Sequence, residues 1–113
     1  MIARVWTGQI LTADKAAYRD CAESIRVPLT RAVDGNLGVW VLTSDLDAGF
    51  TEVLIISHWA SPEALEAWAG YDIDSPVLLE EEAHFFLQSS PTARHYTLAA
   101  GSPDVGALLK GAD

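Results

Sequence analysis

Four tryptophans and three histidines stand out in a chain of 113 residues. They are Trp6, Trp40, Trp59 and Trp68, with His58, His84 and His95. An indole offers a broad apolar face and one N–H donor, so it fills a core and equally well walls a pocket for a flat ligand. Trp59 and Trp68 bracket a helix start and are placed to line a cleft for a polycyclic molecule. An imidazole is the side chain best suited to moving a proton near neutral pH. His84 follows Glu80, Glu81 and Glu82, whose carboxylates favour its charged form, and turned inward it is the candidate acid or base. The plain alternative is a surface or capping histidine, with the three glutamates a solvated helix face. His58 adjoins Trp59, so on a strand the two point to opposite faces. With Trp59 toward the helices, His58 reads as structural, as does His95 beside Tyr96. Arg4 lies within a predicted strand, where a buried guanidinium needs solvent, a carboxylate such as Glu52, or an anionic ligand group. Asn36 is turn chemistry first and a ligand contact second. The candidate set is therefore His84 and Trp59 as catalytic residues, with Arg4, Trp6, Asn36, Trp40, Trp68 and Tyr71 as substrate contacts.

No metal-ligand cluster of recognised spacing, glycine-rich phosphate loop or nucleophile elbow occurs, which weakens hydrolase, kinase and Rossmann-dehydrogenase readings.

The elements that must position these residues follow from pattern. Ile2–Gln9 and Leu37–Ser44 read as strands, as do Thr51–Trp59 and Ala93–Ala99. A long helix is expected from Thr12 to about Thr30, with Ala17, Cys21, Ser24, Ile25 and Leu29 facing inward and Pro28 disturbing its last turn. Ser61-Pro62-Glu63 starts a second helix that Gly70 ends, and Ser75-Pro76 opens a further helical stretch to about Leu87. The order β-α-β-β-α-(α)-β is that of an α+β, ferredoxin-like domain: a four-stranded antiparallel sheet with helices on one face, over residues 1–99, followed by a tail over residues 100–113. Strands two and three contain Val39-Trp40-Val41-Leu42 and Val53-Leu54-Ile55-Ile56, apolar on both faces. One layer of helices covers one face only, so a second copy of the sheet is expected on the other, as a homodimer with a closed barrel-like interior.

Composition bounds the rest. Seven basic residues against sixteen acidic ones give a net charge of −9, which disfavours nucleic-acid and membrane-surface partners. A single cysteine, Cys21, agrees with a reducing compartment and reads as a buried structural thiol. No apolar run is long enough to span a bilayer and no signal-peptide pattern appears, so the expected location is cytoplasmic.

The opening Met1-Ile2-Ala3-Arg4-Val5-Trp6, the turn Gly35-Asn36-Leu37-Gly38-Val39 and the block Trp59-Ala60-Ser61-Pro62-Glu63-Ala64-Leu65 carry a resemblance, joined by Ala69-Gly70-Tyr71-Asp72-Ile73 and Arg94-His95-Tyr96. Over residues 1–99 the chain resembles the antibiotic biosynthesis monooxygenase family. The resemblance implies a dimeric α+β barrel. It also implies oxidation of an aromatic or polyketide-like molecule by O₂ without metal or flavin, with haem degradation in one branch and cyclisation or isomerisation among wider relatives. A non-enzymatic ligand-binding or stress-associated dimer is the remaining alternative. Quinone-forming members carry an asparagine where this chain has Ile55, while Trp59 matches them; Trp68 and His84 match in type a pair found in the haem-degrading branch.

Overall fold

A computed structural model describes residues 1–101, so the expected tail lies almost wholly outside the described residues. The chain runs β1 (Ile2–Leu11), a long helix over residues 12–31 containing α1 (Lys15–Cys21) and α2 (Val27–Arg31), then β2 (Asn36–Asp45) and β3 (Phe50–Trp59). It continues through α3 (Pro62–Ala69), α4 (Glu80–Ala83), β4 (Gln88–Ser89) and β5 (Arg94–Thr97). The fold is the expected antiparallel ferredoxin-like α+β arrangement. β1 pairs with β3 along its whole length, from Ile2 opposite Trp59 to Leu11 opposite Phe50, and β2 forms the edge beyond β3. Two short strands stand where one was expected: β4 pairs with Gly8 and Gln9, β5 with Ile2–Val5.

Two-residue alternation sorts the sheet into two faces. Arg4, Trp6, Gly8 and Ile10 of β1 and Thr51, Val53, Ile55, Ser57 and Trp59 of β3 are buried on the helix-covered face. Tyr18 and Ala22 of the long helix meet Trp6, Ile10, Val53 and Ile55 there. Phe85 and Phe86 close the cluster, with edge-on ring contacts at 5.0–5.5 Å between Trp6, Tyr18 and the two phenylalanines. By register, Val5, Trp40, Leu42, Leu54 and Ile56 share the opposite face, where Trp40 meets His58 edge-on at 5.0 Å.

The inner face of the long helix differs from expectation. Tyr18, Ala22, Arg26 and Thr30 are buried, whereas Ile25 is half-buried and Leu29 is exposed. A regular α-helix with Tyr18 and Ala22 inward would next turn in positions 25 and 29. Between α1 and α2, however, residues Ala22–Arg26 form a π turn. Its wider loop takes up one extra residue and moves the inward positions to Arg26 and Thr30. Pro28, which has no N–H to give to the helical ladder, follows directly at the start of α2.

The helical stretch expected from Ser75 to Leu87 shrinks to the four residues of α4. Residues 70–79 run without helix because the carbonyls of Ile73, Ser75 and Val77 accept hydrogen bonds from buried arginines instead of from helical N–H groups. α3 forms as expected: Ser61 Oγ accepts from the Ala64 N–H at 3.2 Å, Pro62 follows the cap, and Gly70 ends the helix at φ 87°. Among the described residues no helix is long and apolar enough to cross a membrane.

Candidate active site

The floor of an internal cleft is built by the inward positions of the strands: Arg4 and Trp6 from β1, Val39 from β2, Ile55 and Ser57 from β3. Its roof comes from Arg26 and Thr30 on the long helix, Trp68 on α3 and Val77 in the segment 70–79. The free volume is only about 20 Å³, room for a water molecule and no more. Beside it, between the long helix and β2, a mainly apolar groove of about 450 Å³ is lined by Tyr18, Ala22, Val27, Trp40 and Val41, together with Lys15, Arg19, Glu23 and Thr43. Val39 borders both spaces. The groove has the capacity of a small-molecule site, and the cleft beside it holds the buried charge.

Arg26 and Glu82 form an ion pair with side-chain exposures of 5% and 1%. Arg26 Nε donates to both carboxylate oxygens at 3.0 Å, and its Nη2 donates to the carboxylate and to the Val77 carbonyl. Glu82 also accepts the Leu79 N–H at 3.2 Å. The Arg26 guanidinium lies 5.8 Å from the Trp68 ring centre, within cation–π range. Glu82 is thus the member of the expected solvated run that turns into the protein, because only there does its charge find the helix-borne cation. Tyr18 is 1% exposed and its hydroxyl, close to Glu82, makes no hydrogen bond of good geometry. Burial, and next the Glu82 charge, push the Tyr18 pKa above its ordinary value. Cys21 is half-buried with Sγ 3.7 Å from the Glu81 carbonyl, and burial first, then Glu82, raise its pKa.

Among the described residues Arg4, 5% exposed, meets no carboxylate directly: its Nη1 donates to the Ile73 carbonyl and its Nη2 to that of Ser75 at 2.8 Å. The expected partner Glu52 is exposed, opposite Gln9 on the other face of the sheet. Nη1 also lies 2.9 Å from His95 Nε2. A guanidinium only donates, so Nε2 must present its lone pair and the ring proton sits on Nδ1, which faces Asp74 Oδ1 at 3.4 Å. Burial, then the Arg4 charge, lower the His95 pKa against the opposing pull of Asp74. Burial, then the charge of Arg26, lower the Arg4 pKa to about 10, again opposed by Asp74.

Of the residues singled out by sequence, Arg4, Trp6 and Trp68 converge on the cleft. Trp6 Nε1 donates to the Ser90 carbonyl at 2.9 Å. Trp59 is fully buried behind them, stacked on Trp68 at 6.3 Å, with its Nε1 donating to Ser57 Oγ at 2.9 Å. The Asn36 amide is consumed by the β2 bulge, donating to the Gly38 and His58 carbonyls and accepting from Arg31. Trp40 edges the groove, and Tyr71 is 95% exposed. His84 caps α4 and is exposed, its ring 4.1 Å from that of Phe85, away from the cleft. Sequence reasoning missed Arg26, Glu82 and the role of His95. The first two were hidden by the π turn and by an apparently solvated acidic run. His95 was visible only as the inward neighbour of outward Tyr96 on a strand paired with Arg4.

Among the described residues no group of three His, Cys, Asp or Glu side chains is placed to hold a metal ion. A family model, antibiotic biosynthesis monooxygenase, matches residues 1–72. No curated protein matches the chain. Among solved structures, the monooxygenase from the gene ActVA-Orf6 of Streptomyces coelicolor, in complex with nanaomycin D, is similar at 21% identity and a TM-score of 0.62, with 89% of each chain covered. Rv0793 from Mycobacterium tuberculosis is similar at 17% identity and a TM-score of 0.61, covering 89% of this chain and 97% of that one. The heme-degrading protein Rv3592 from the same organism is similar at 18% identity and a TM-score of 0.55, covering 90% and 96%. These likenesses agree on the fold, and the family model spans more than half of the sequence: the chain belongs to the antibiotic biosynthesis monooxygenase family.

Proposed function

We propose that the protein is a monooxygenase acting on a small hydroxylated aromatic or polyketide-like molecule, with O₂ as co-substrate and the substrate itself as the source of electrons. The observation that carries this reading is the junction of the apolar groove, about 450 Å³, with a cleft that contains the guanidinium groups of Arg4 and Arg26 and the ring of Trp68. A planar apolar body fits the groove, and its ring oxygen meets cationic donors in a poorly hydrated site, where charge–charge attraction is strong. Ionisation of the hydroxyl is thereby favoured, and its proton is released to water. The resulting enolate carbon gives electrons to O₂ and forms a carbon–oxygen bond. Cleavage of the O–O bond then leaves one oxygen as a new carbonyl and the other as water, so the substrate loses two hydrogens and gains one oxygen. The proton-acceptor role expected of His84 falls away in this scheme, because His84 is exposed and outside the cleft.

A homodimer forms part of the proposal. It is supported by the apolar sheet face of Val5, Trp40, Leu42, Leu54 and Ile56, which lies opposite the helices. Sedimentation should give twice the chain mass of 12.2 kDa, and a stable monomer would refute it.

Oxygen uptake with anthrone and dihydroxynaphthalene substrates, using ¹⁸O₂, tests the reaction. Uptake above the buffer rate, one labelled oxygen in the product, loss of turnover in Trp68→Ala and retention in His84→Ala are expected. Ligand conversion without oxygen uptake would replace the monooxygenase by a cyclase or isomerase.

A further inference from the structure

Among the described residues Arg4 is a buried cation with no carboxylate paired to it. Among the described residues it makes no direct ion pair, and the charge of Asp74 acts on it from beyond the ring of His95. Arg26, on the same cleft, is balanced by Glu82. A buried guanidinium left to carbonyl dipoles and an imidazole lone pair is costly, and it is best relieved by an anion. The groups that hold it now, the carbonyls of Ile73 and Ser75, belong to one segment, as does the Val77 carbonyl held by Arg26. That segment, residues 70–79, has no regular structure of its own, roofs the cleft through Val77, and exposes Tyr71 to solvent.

We infer that Arg4 is the anchor for an oxyanion of the ligand, a carboxylate or a phenolate, and that residues 70–79 are a lid whose carbonyls occupy the anchor until the anion displaces them. The exchange replaces two neutral acceptors by one charged acceptor, a stronger partner for a guanidinium. It also opens the present 20 Å³ cleft, which admits no aromatic ligand while the lid is seated. His95 and Asp74 position the guanidinium from behind. This inference deepens the monooxygenase reading by naming the charge of the substrate, but it concerns binding and needs no turnover.

The probes are 2-naphthoate, its neutral near-isostere 2-naphthamide, and 2-naphthol, titrated against the full chain by tryptophan fluorescence and calorimetry. Naphthoate should bind at least about tenfold tighter than the amide, the scale of a charged against a neutral hydrogen bond. Arg4→Gln should abolish that preference while leaving amide binding in place. Bound 2-naphthol absorbing as its anion below its solution pKa would identify a phenolate as the natural group; tight naphthoate with un-ionised naphthol would identify a carboxylate. Hydrogen exchange of the amides in residues 72–77 should quicken on naphthoate binding. Wild-type protein alone keeps the idea testable if Arg4→Gln does not fold, because raised salt must weaken naphthoate and not the amide. Equal affinities for naphthoate and amide, or a preference surviving in Arg4→Gln, would overturn the inference, as would exchange slowed in residues 72–77. Failure of oxygen uptake with the anion preference intact would sink only the monooxygenase reading.

Discussion

Replacing Glu82 by Gln removes one charge and almost no volume. Arg26 would then remain 4% exposed, as a full cation facing an amide. Breaking one side of a buried ion pair costs about 3–5 kcal/mol, most of it the penalty of the charge left behind. For a domain of this size that is roughly 12–30 °C in melting temperature, at about 4–6 °C per kcal/mol. It is also a large share of the 5–15 kcal/mol by which such domains are stable. The double variant Arg26→Met/Glu82→Leu removes both charges and should recover most of the loss, since replacing a buried pair with packed apolar groups is close to neutral. An internal control is available in Arg19 and Glu23, paired at 3.2 Å with side-chain exposures of 77% and 64%. Glu23→Gln should change stability by less than about 0.5 kcal/mol. The assay is urea unfolding of all three variants, followed by fluorescence and compared at a common slope. A loss below about 1 kcal/mol for Glu82→Gln, or a double variant no better than the single one, would refute the claim that a desolvated charge pair holds the long helix to α4.

Tyr18→Phe should be neutral or slightly stabilising in the same assay, because the buried hydroxyl makes no well-formed hydrogen bond; a loss above about 1 kcal/mol would reveal a bond to Glu82. Gly35 adopts φ +88°, and a Cβ there would stand 2.4 Å from that of Ala64. Gly35→Ala should therefore cost about 2–4 kcal/mol from backbone strain and overpacking, read as a lower melting temperature. Burial and Arg4 hold the His95 pKa below the ordinary imidazole value of about 6.5 in the folded protein, so on acidification the unfolded chain takes up that proton first. Stability is retained above about pH 6.5 and falls below it until the folded ring also protonates. The melting temperature of His95→Gln should decline less than that of wild type between about pH 6.5 and pH 5, and parallel curves would show that His95 is not the titrating group.

The fold was legible because its signals are local and repeated. The β-branched runs around Val5, Val41 and Ile55, the Ser61-Pro62 cap and the Gly35-Asn36 turn each fix their element within a few residues. The site was legible only in part. Arg4, Trp6 and Trp68 could be singled out by type, and the strand periodicity that turns Trp6 inward also turns Arg4 inward. Arg26 and Glu82 could not be paired from sequence, because 56 residues separate them and each sits in a polar stretch that looks solvated. The lid was misread as helix for a related reason: Ser75-Pro76 is a strong local start, but buried arginine donors compete for its carbonyls, and no local rule sees them.

The π turn at Ala22–Arg26 also makes the helix a phase selector. Such a turn is equivalent to one residue inserted into a continuous α-helix, absorbed where it occurs. Deleting a single residue there would let α1 and α2 join in one regular helix. Arg26 and Thr30 would then fall on the positions that a regular helix with Tyr18 and Ala22 inward presents to the cleft, so the charge would stay in place; closing the turn with no residue removed would instead bring Ile25 and Leu29 over the cleft. The turn, and not the order of residues alone, therefore decides whether a charged or an apolar side chain of this helix meets the cleft. A relative one residue shorter at that turn would present the same inward residues from a regular helix, and aligning it there without a gap would pair residues that do not occupy the same place.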